Sequence, residues 1–164
     1  MNGSGIHFAH LKNVLNFQFI WDKILNSNDN SLIVSKSRQF RILIADDEFL
    51  TRWSLAQALS QEGYEVVAVE DGKKAIEAAS LQHFDFIITD LVMPEMDGWE
   101  VLETVRQTQP PPRVIIITAY GREDFGRTAK EKGAWAYVEK PYIIDKIKEI
   151  LKEAFKNENG LNSN

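Results

Sequence analysis

The stretch RILIADDE, Arg41 to Glu48, joins a short apolar run to three consecutive acids. Branched aliphatic residues fit the pleated, buried surface of a strand, so Arg41 to Ala45 reads as a strand with the acids at its carboxyl end. The alternation then repeats down the chain. Glu65 to Val69 (EVVAV), Phe86 to Thr89 (FIIT), Val114 to Thr118 (VIIIT) and Ala134 to Val138 (AWAYV) are further strand candidates, and FIIT and VIIIT read as buried on both faces. Helical patterns lie between them: Leu50 to Gln61 before Gly63, Lys73 to Leu81 after Asp71-Gly72, and Trp99 to Gln107 before Pro110, Pro111 and Pro112. Glu123 to Lys132 ends at Gly133, and Ile143 to Phe155 carries Ile143, Ile147, Ile150 and Leu151 along one face. Strands alternating with helices predict an α/β fold, a doubly wound parallel (βα)5 sheet covered on both faces.

Outside this unit, Phe17, Ile20, Trp21 and Ile24 fall at helical spacing, and Asn26 to Ser31 is polar and Asn-rich. We therefore expect an N-terminal extension over 1–39, a helix plus linker, then one folded domain over 40–156 and a disordered polar tail over 157–164. A chain of 164 residues with 44% hydrophobic and 26% charged residues has enough apolar material for one core and too little length for two domains. Its net charge of -5 argues against binding a polyanion directly. The absence of cysteine excludes thiolate metal sites and thiol nucleophiles. No apolar run approaches the ~18 residues of a membrane span. The start lacks the basic segment of a secretory signal, so a cytoplasmic location is expected.

Ligands of open parallel sheets bind outside the carboxyl ends of the strands, where the strand order reverses. Asp46, Asp47 and Glu48 follow the first strand, Asp90 follows the third, Thr118 ends the fourth, and Lys140-Pro141 follows the fifth. Carboxylates crowded at one edge either take up protons or recruit a cation, and oxygen-only ligands select Mg2+. An acidic pair by itself is usually a solvated turn, but its arrival at a strand end together with Asp90, Thr118 and Lys140 is not. Met93-Pro94 and Asp97-Gly98 read as turns that shape the loop, without direct chemistry. Trp135 and Tyr137 are expected on one face of the fifth strand, as partner surface or as core. His7, His10 and His83 show no ligand spacing and read as surface residues.

These residues together resemble the response-regulator receiver family over Phe40 to about Phe155. The resemblance implies a flavodoxin-like sheet in the order 2-1-3-4-5, here with an N-terminal helical extension. It implies that Asp90 is the phosphoacceptor and that Asp47 and Asp90 ligate Mg2+ directly. Asp46 would act through a coordinated water, and the Val92 carbonyl would complete the protein ligands. By the same resemblance Lys140 pairs with the phosphoryl oxygens, Thr118 donates its hydroxyl to one of them, the Lys140-Pro141 peptide is cis, and Tyr137 is the switch aromatic. Val92 and Tyr120, two residues past Asp90 and Thr118, would flank the path of a hydrolysing water and tune the lifetime of the phosphate.

The implied partners are a sensor histidine kinase or a histidine phosphotransfer protein as donor and a downstream protein target reached through the fourth helix, fifth strand and fifth helix. A phosphorylation-dependent homodimer is a further expectation, with no direct nucleic-acid or membrane contact and no turnover of an external substrate. Thr51-Arg52-Trp53-Ser54-Leu55 looks like receivers of the nitrogen-regulation type, and VIIITAYG resembles a sporulation phosphorelay intermediate, which keeps a relay role open. An aspartyl-phosphate phosphohydrolase of the haloacid-dehalogenase type would need DxD after the first strand, where this chain has Asp46-Asp47-Glu48.

Overall fold

The computed structural model describes residues 39–119, 121, 124–141 and 143–160, with 157–160 described by backbone alone. All of them belong to the second of two compact units, Arg38–Asn164. The helix and linker expected before residue 39, Tyr120 and the last four residues lie outside the described residues.

Five parallel strands form one sheet: β1 Arg41–Ala45, β2 Glu65–Val69, β3 Phe86–Asp90, β4 Arg113–Thr118 and β5 Ala136–Glu139, in the order β2-β1-β3-β4-β5. This is the expected flavodoxin-like order, with the reversal of direction between β1 and β3. The helices among the described residues are α1 Phe49–Gln61, α2 Gly72–Leu81, α3 Gly98–Val105, α4 Phe125–Glu131 and α5 Ile143–Gly160.

Side chains alternate across the sheet and build two cores. Ile42, Ile44, Ile88, Ile115 and Ile117 pack with Leu55 and Leu59 of α1 and with Ile147 and Leu151 of α5. Leu43, Ala45, Ile87, Val114 and Ile116 pack with Ala75 of α2 and with Val101, Leu102 and Val105 of α3. Both faces of β1, β3 and β4 are thus buried, which is why those strands are continuous aliphatic runs. Each fully buried Leu or Ile stabilises the fold by roughly 1.5–3 kcal/mol relative to exposure.

Local signals set the ends. Asp71 caps α2 by accepting from the Lys74 N–H at 2.7 Å. Asp97 and Glu100 make a reciprocal capping box at the start of α3. Gly63 and Gly133 stand at φ 94 and φ 84 just past α1 and α4, a left-handed conformation that glycine adopts without strain.

The boundaries shift by up to two residues at most ends. The largest change is at α5, which runs to Gly160 where the sequence suggested Phe155. Helix propagation costs little once nucleated, so the polar residues after Phe155 extend it until a glycine. The expected tail over 157–164 therefore begins as helix. β5 starts at Ala136, so Trp135 precedes the strand and does not share a strand face with Tyr137. Trp135 is half exposed, with the Arg113 guanidinium 4.7 Å from its ring centre, whereas Tyr137 packs against the α2/α3-side core. The Lys140-Pro141 peptide is cis, as the resemblance implies, and so is Gln109-Pro110. No helix among the described residues is long and apolar enough to cross a membrane.

Candidate functional site

The carboxyl ends of β1 and β3 lie side by side at the reversal point, and the chain continues from each into an acid. Asp46 prolongs β1, its N–H donating to the Val69 carbonyl at 3.2 Å, and its side chain is fully buried. Asp90 is the last residue of β3, and the next N–H, from Leu91, donates to the Ile117 carbonyl at 2.8 Å. Asp47 is exposed at the rim. One carboxylate oxygen from each of Asp46, Asp47 and Asp90 can be chosen so that all three lie within 4.8 Å of one another.

Lys140 enters this cluster from the end of β5. Its N–H donates to the Thr118 carbonyl at 2.8 Å, which fixes the backbone. Its Nζ lies 2.7 Å from Asp90 Oδ2, 2.9 Å from Asp46 Oδ2 and 3.8 Å from Glu48 Oε2. The remaining oxygens are partly met by backbone: Glu48 N–H donates to Asp46 Oδ1 at 2.8 Å, and Val92 N–H to Asp90 Oδ1 at 3.1 Å. Asp46 Oδ2 is a different case. The Lys140 ammonium is close to it but off the direction of a hydrogen bond, so this buried oxygen keeps an unfilled acceptor direction.

The electrostatics follow. Burial pushes the Asp46 carboxyl above its ordinary range, and the close approach and charge of Lys140 only partly offset this. Burial acts to lower the Lys140 ammonium, but its hydrogen bond to Asp90 and its close pairing with Asp46 outweigh burial and hold it above its ordinary value. Three carboxylates face one ammonium, and oxygen donors with an unfilled buried acceptor suit a hard divalent cation.

Thr118 is fully buried at the end of β4, one strand from Asp90 and in register with Glu139. Val92 lies next to the cluster, 51% exposed, and contributes its N–H to Asp90. Tyr137 is half-buried on β5, and its hydroxyl donates to Glu139 Oε1 at 3.4 Å. His83 precedes β3, at the end of that strand opposite Asp90, and is exposed. His7 and His10 lie outside the described residues, as does Tyr120.

Two contributors were not legible as such. Gly98, read as part of a turn, lies so close under Asp90 that a Cβ there would overlap the Asp90 carbonyl oxygen and come within 2.9 Å of Leu91 Cα. The Asp-Gly pair before a helix was the available signal. Arg52 sends Nη1 to the Asp46 carbonyl oxygen at 2.6 Å and lays its guanidinium 5.7 Å from the Phe49 ring centre. Nothing in the linear sequence marks that contact, which arises because the first turns of α1 fold back over the end of β1.

The site is thus an open parallel sheet with clustered carboxylates, a threonine and a lysine at the carboxyl ends of β1, β3, β4 and β5, which defines a doubly wound α/β protein. Residues 42–152 match the family model of the response regulator receiver domain, and the chain belongs to that family. It is 34% identical over 113 residues to sporulation initiation phosphotransferase F of Bacillus subtilis, which covers 69% of this chain and 91% of that protein. It is 38% identical over 108 residues to the transcriptional regulatory protein PdtaR of Mycobacterium tuberculosis, covering 65% of this chain and 52% of PdtaR. The chain thus spans about half the length of that regulator. Among solved structures, a CheY-like receiver domain protein from Methanospirillum hungatei superposes with a TM-score of 0.69 at 28% identity, over 76% of this chain and 99% of the other.

Proposed function

We propose that this chain is a two-component phosphorylation switch in which Asp90 accepts a phosphoryl group from a histidine donor. The observation that carries the reading is the Lys140 ammonium shared between Asp90 Oδ2 and Asp46 Oδ2, with Asp47 at the rim. A carboxylate oxygen of Asp90 forms the new O–P bond as the donor's N–P bond breaks, and the donor nitrogen keeps the electron pair and is protonated by solvent. Lys140 offsets charge on the transferring group, and the Thr118 hydroxyl donates to one of its oxygens.

Asp46, Asp47, Asp90 and the Val92 carbonyl are the groups that would hold Mg2+, which when bound supplies positive charge to the phosphoryl oxygens. The unfilled acceptor on Asp46 and the all-oxygen donor set support that assignment. Val92 and Tyr120 would flank the path of the hydrolysing water and set the lifetime of the acyl phosphate.

In this reading Thr118 moves inward on phosphorylation, Tyr137 follows, and the surface of α4, β5 and α5 changes for a downstream protein partner or a second copy of the chain. Residues 40–156 form the switch and 1–39 an attached extension. The compartment is the cytoplasm, and no external substrate is turned over. Similarity across nine-tenths of the sporulation phosphotransferase supports a second reading, in which the phosphoryl group passes on from Asp90 to another histidine.

Phosphoramidate, a small donor with phosphorus on nitrogen, tests the acceptor. Incubation with Mg2+, borohydride reduction of the acyl phosphate and peptide mapping should mark Asp90 alone. Marking of another residue, or of none while a known receiver is marked in parallel, would overturn the assignment.

A further inference from the structure

Glu139 ends β5 beside Thr118 in the register of β4 and β5, and immediately before Lys140. Residues two apart on a strand share a face, so its carboxylate stands next to Tyr137, whose hydroxyl donates to Glu139 Oε1 at 3.4 Å. The same carboxylate lies against Gly121, three residues past Thr118. A Cβ at Gly121 would come within 2.6 Å of Glu139 Cδ and Oε1 and 2.8 Å of Oε2, so the carboxylate fills the space a side chain there would take. The Tyr137 ring runs along Gly126, where a Cβ would meet it at an ordinary 3.7 Å. Burial and then the Glu139 charge both keep the Tyr137 hydroxyl protonated, which preserves it as a donor.

We propose that Glu139 is a positioning residue for the switch: its carboxylate, seated against Gly121, accepts from the Tyr137 hydroxyl and so holds the ring in its half-buried resting position. This rests on the proposed function only in naming Tyr137 as the ring that moves. Gly121 follows Thr118 closely along the chain, so an inward shift of Thr118 withdraws the support behind the carboxylate. Release of the ring is thereby coupled to the phosphoryl group without any contact between that group and Glu139.

The test uses the full chain labelled with 3-fluorotyrosine, with the Tyr137 resonance assigned by Tyr137→Phe and the Tyr64 resonance as a control. In unphosphorylated Glu139→Ala, the Tyr137 signal should move toward its position in phosphorylated wild type. The expected change in the equilibrium between the resting and the moved ring is roughly three- to tenfold, the worth of one net hydrogen bond. Glu139→Gln, whose amide oxygen accepts the same bond, should stay near wild type. Gly121→Ala should displace the carboxylate and shift the Tyr137 signal as Glu139→Ala does, and the double variant should add nothing further.

A Glu139→Ala protein whose Tyr137 signal keeps the wild-type position overturns the proposal. So does a Glu139→Gln protein that behaves like Glu139→Ala, because the effect would then come from charge and not from the hydroxyl contact. Movement of Tyr64 to the same extent also counts against it, as general loosening. Acetyl phosphate labelling is followed in parallel. If wild type takes up no phosphate, the proposed function fails, and the latch is decided by whether Glu139→Ala moves the resting Tyr137 signal away from wild type.

Discussion

Asp46 is a fully buried acid whose carboxyl is raised by burial and only partly relieved by Lys140. A raised folded-state value means that the folded protein binds the proton more tightly than the unfolded chain. The stabilising contribution is therefore complete below the unfolded value and is lost as pH rises through the folded one. Asp46→Asn should accordingly raise the stability of the chelator-treated protein at neutral pH, while weakening Mg2+ binding. Urea denaturation with and without Mg2+ measures both, and a destabilised metal-free variant would contradict the electrostatic account. Lys140→Met leaves the carboxylates of Asp46 and Asp90 without their shared ammonium. A loss of about 3 kcal/mol is expected at pH 7 without metal, shrinking at acid pH as the Asp46 carboxyl takes up its proton. Gly98→Ala forces a Cβ into the Asp90 carbonyl, between backbone segments that cannot yield cheaply. A loss of roughly 1–3 kcal/mol and slower phosphorylation are expected, both read from the same preparation.

The elements place these residues by simple local rules. β1, β3 and β4 were legible because a strand buried on both faces must be aliphatic throughout, and the helices because apolar residues recur at their period. The acids, Thr118 and Lys140 were legible because each stands at the carboxyl end of a strand, where the fold rule directs attention. What was not legible depends on contact between distant segments. The late start of β5 follows from the turn after α4, which holds the Ala134 N–H on the Ala129 carbonyl, so that Trp135 is the first residue to reach β4, at Val114. The roles of Gly98 and Arg52 exist only once a helix lies over a strand end. The capping box at Asp97 lies at this level, since it anchors α3 directly after the loop that leaves Asp90. Asp97→Ala should cost about 1 kcal/mol, with Asp97→Ser recovering most of it, as measured by thermal denaturation. Equal losses in both variants would mean that the cap is not what anchors the helix.

Across the whole molecule, the two cores clamp the sheet on both faces, while the edge at the carboxyl ends carries the unbalanced charge. The sheet fixes Asp90 on β3, Thr118 on β4 and Lys140 just after β5, so a single strand separates Asp90 from β5. The measurement that tests the central claim most directly is intact-mass spectrometry after incubation with acetyl phosphate. Wild type with Mg2+, wild type with chelator and Asp90→Asn with Mg2+ are compared under rapid quench. One added phosphoryl mass in the first sample and in neither of the others is the predicted result. Equal uptake by Asp90→Asn, or uptake unaffected by chelation, would contradict the account of the site.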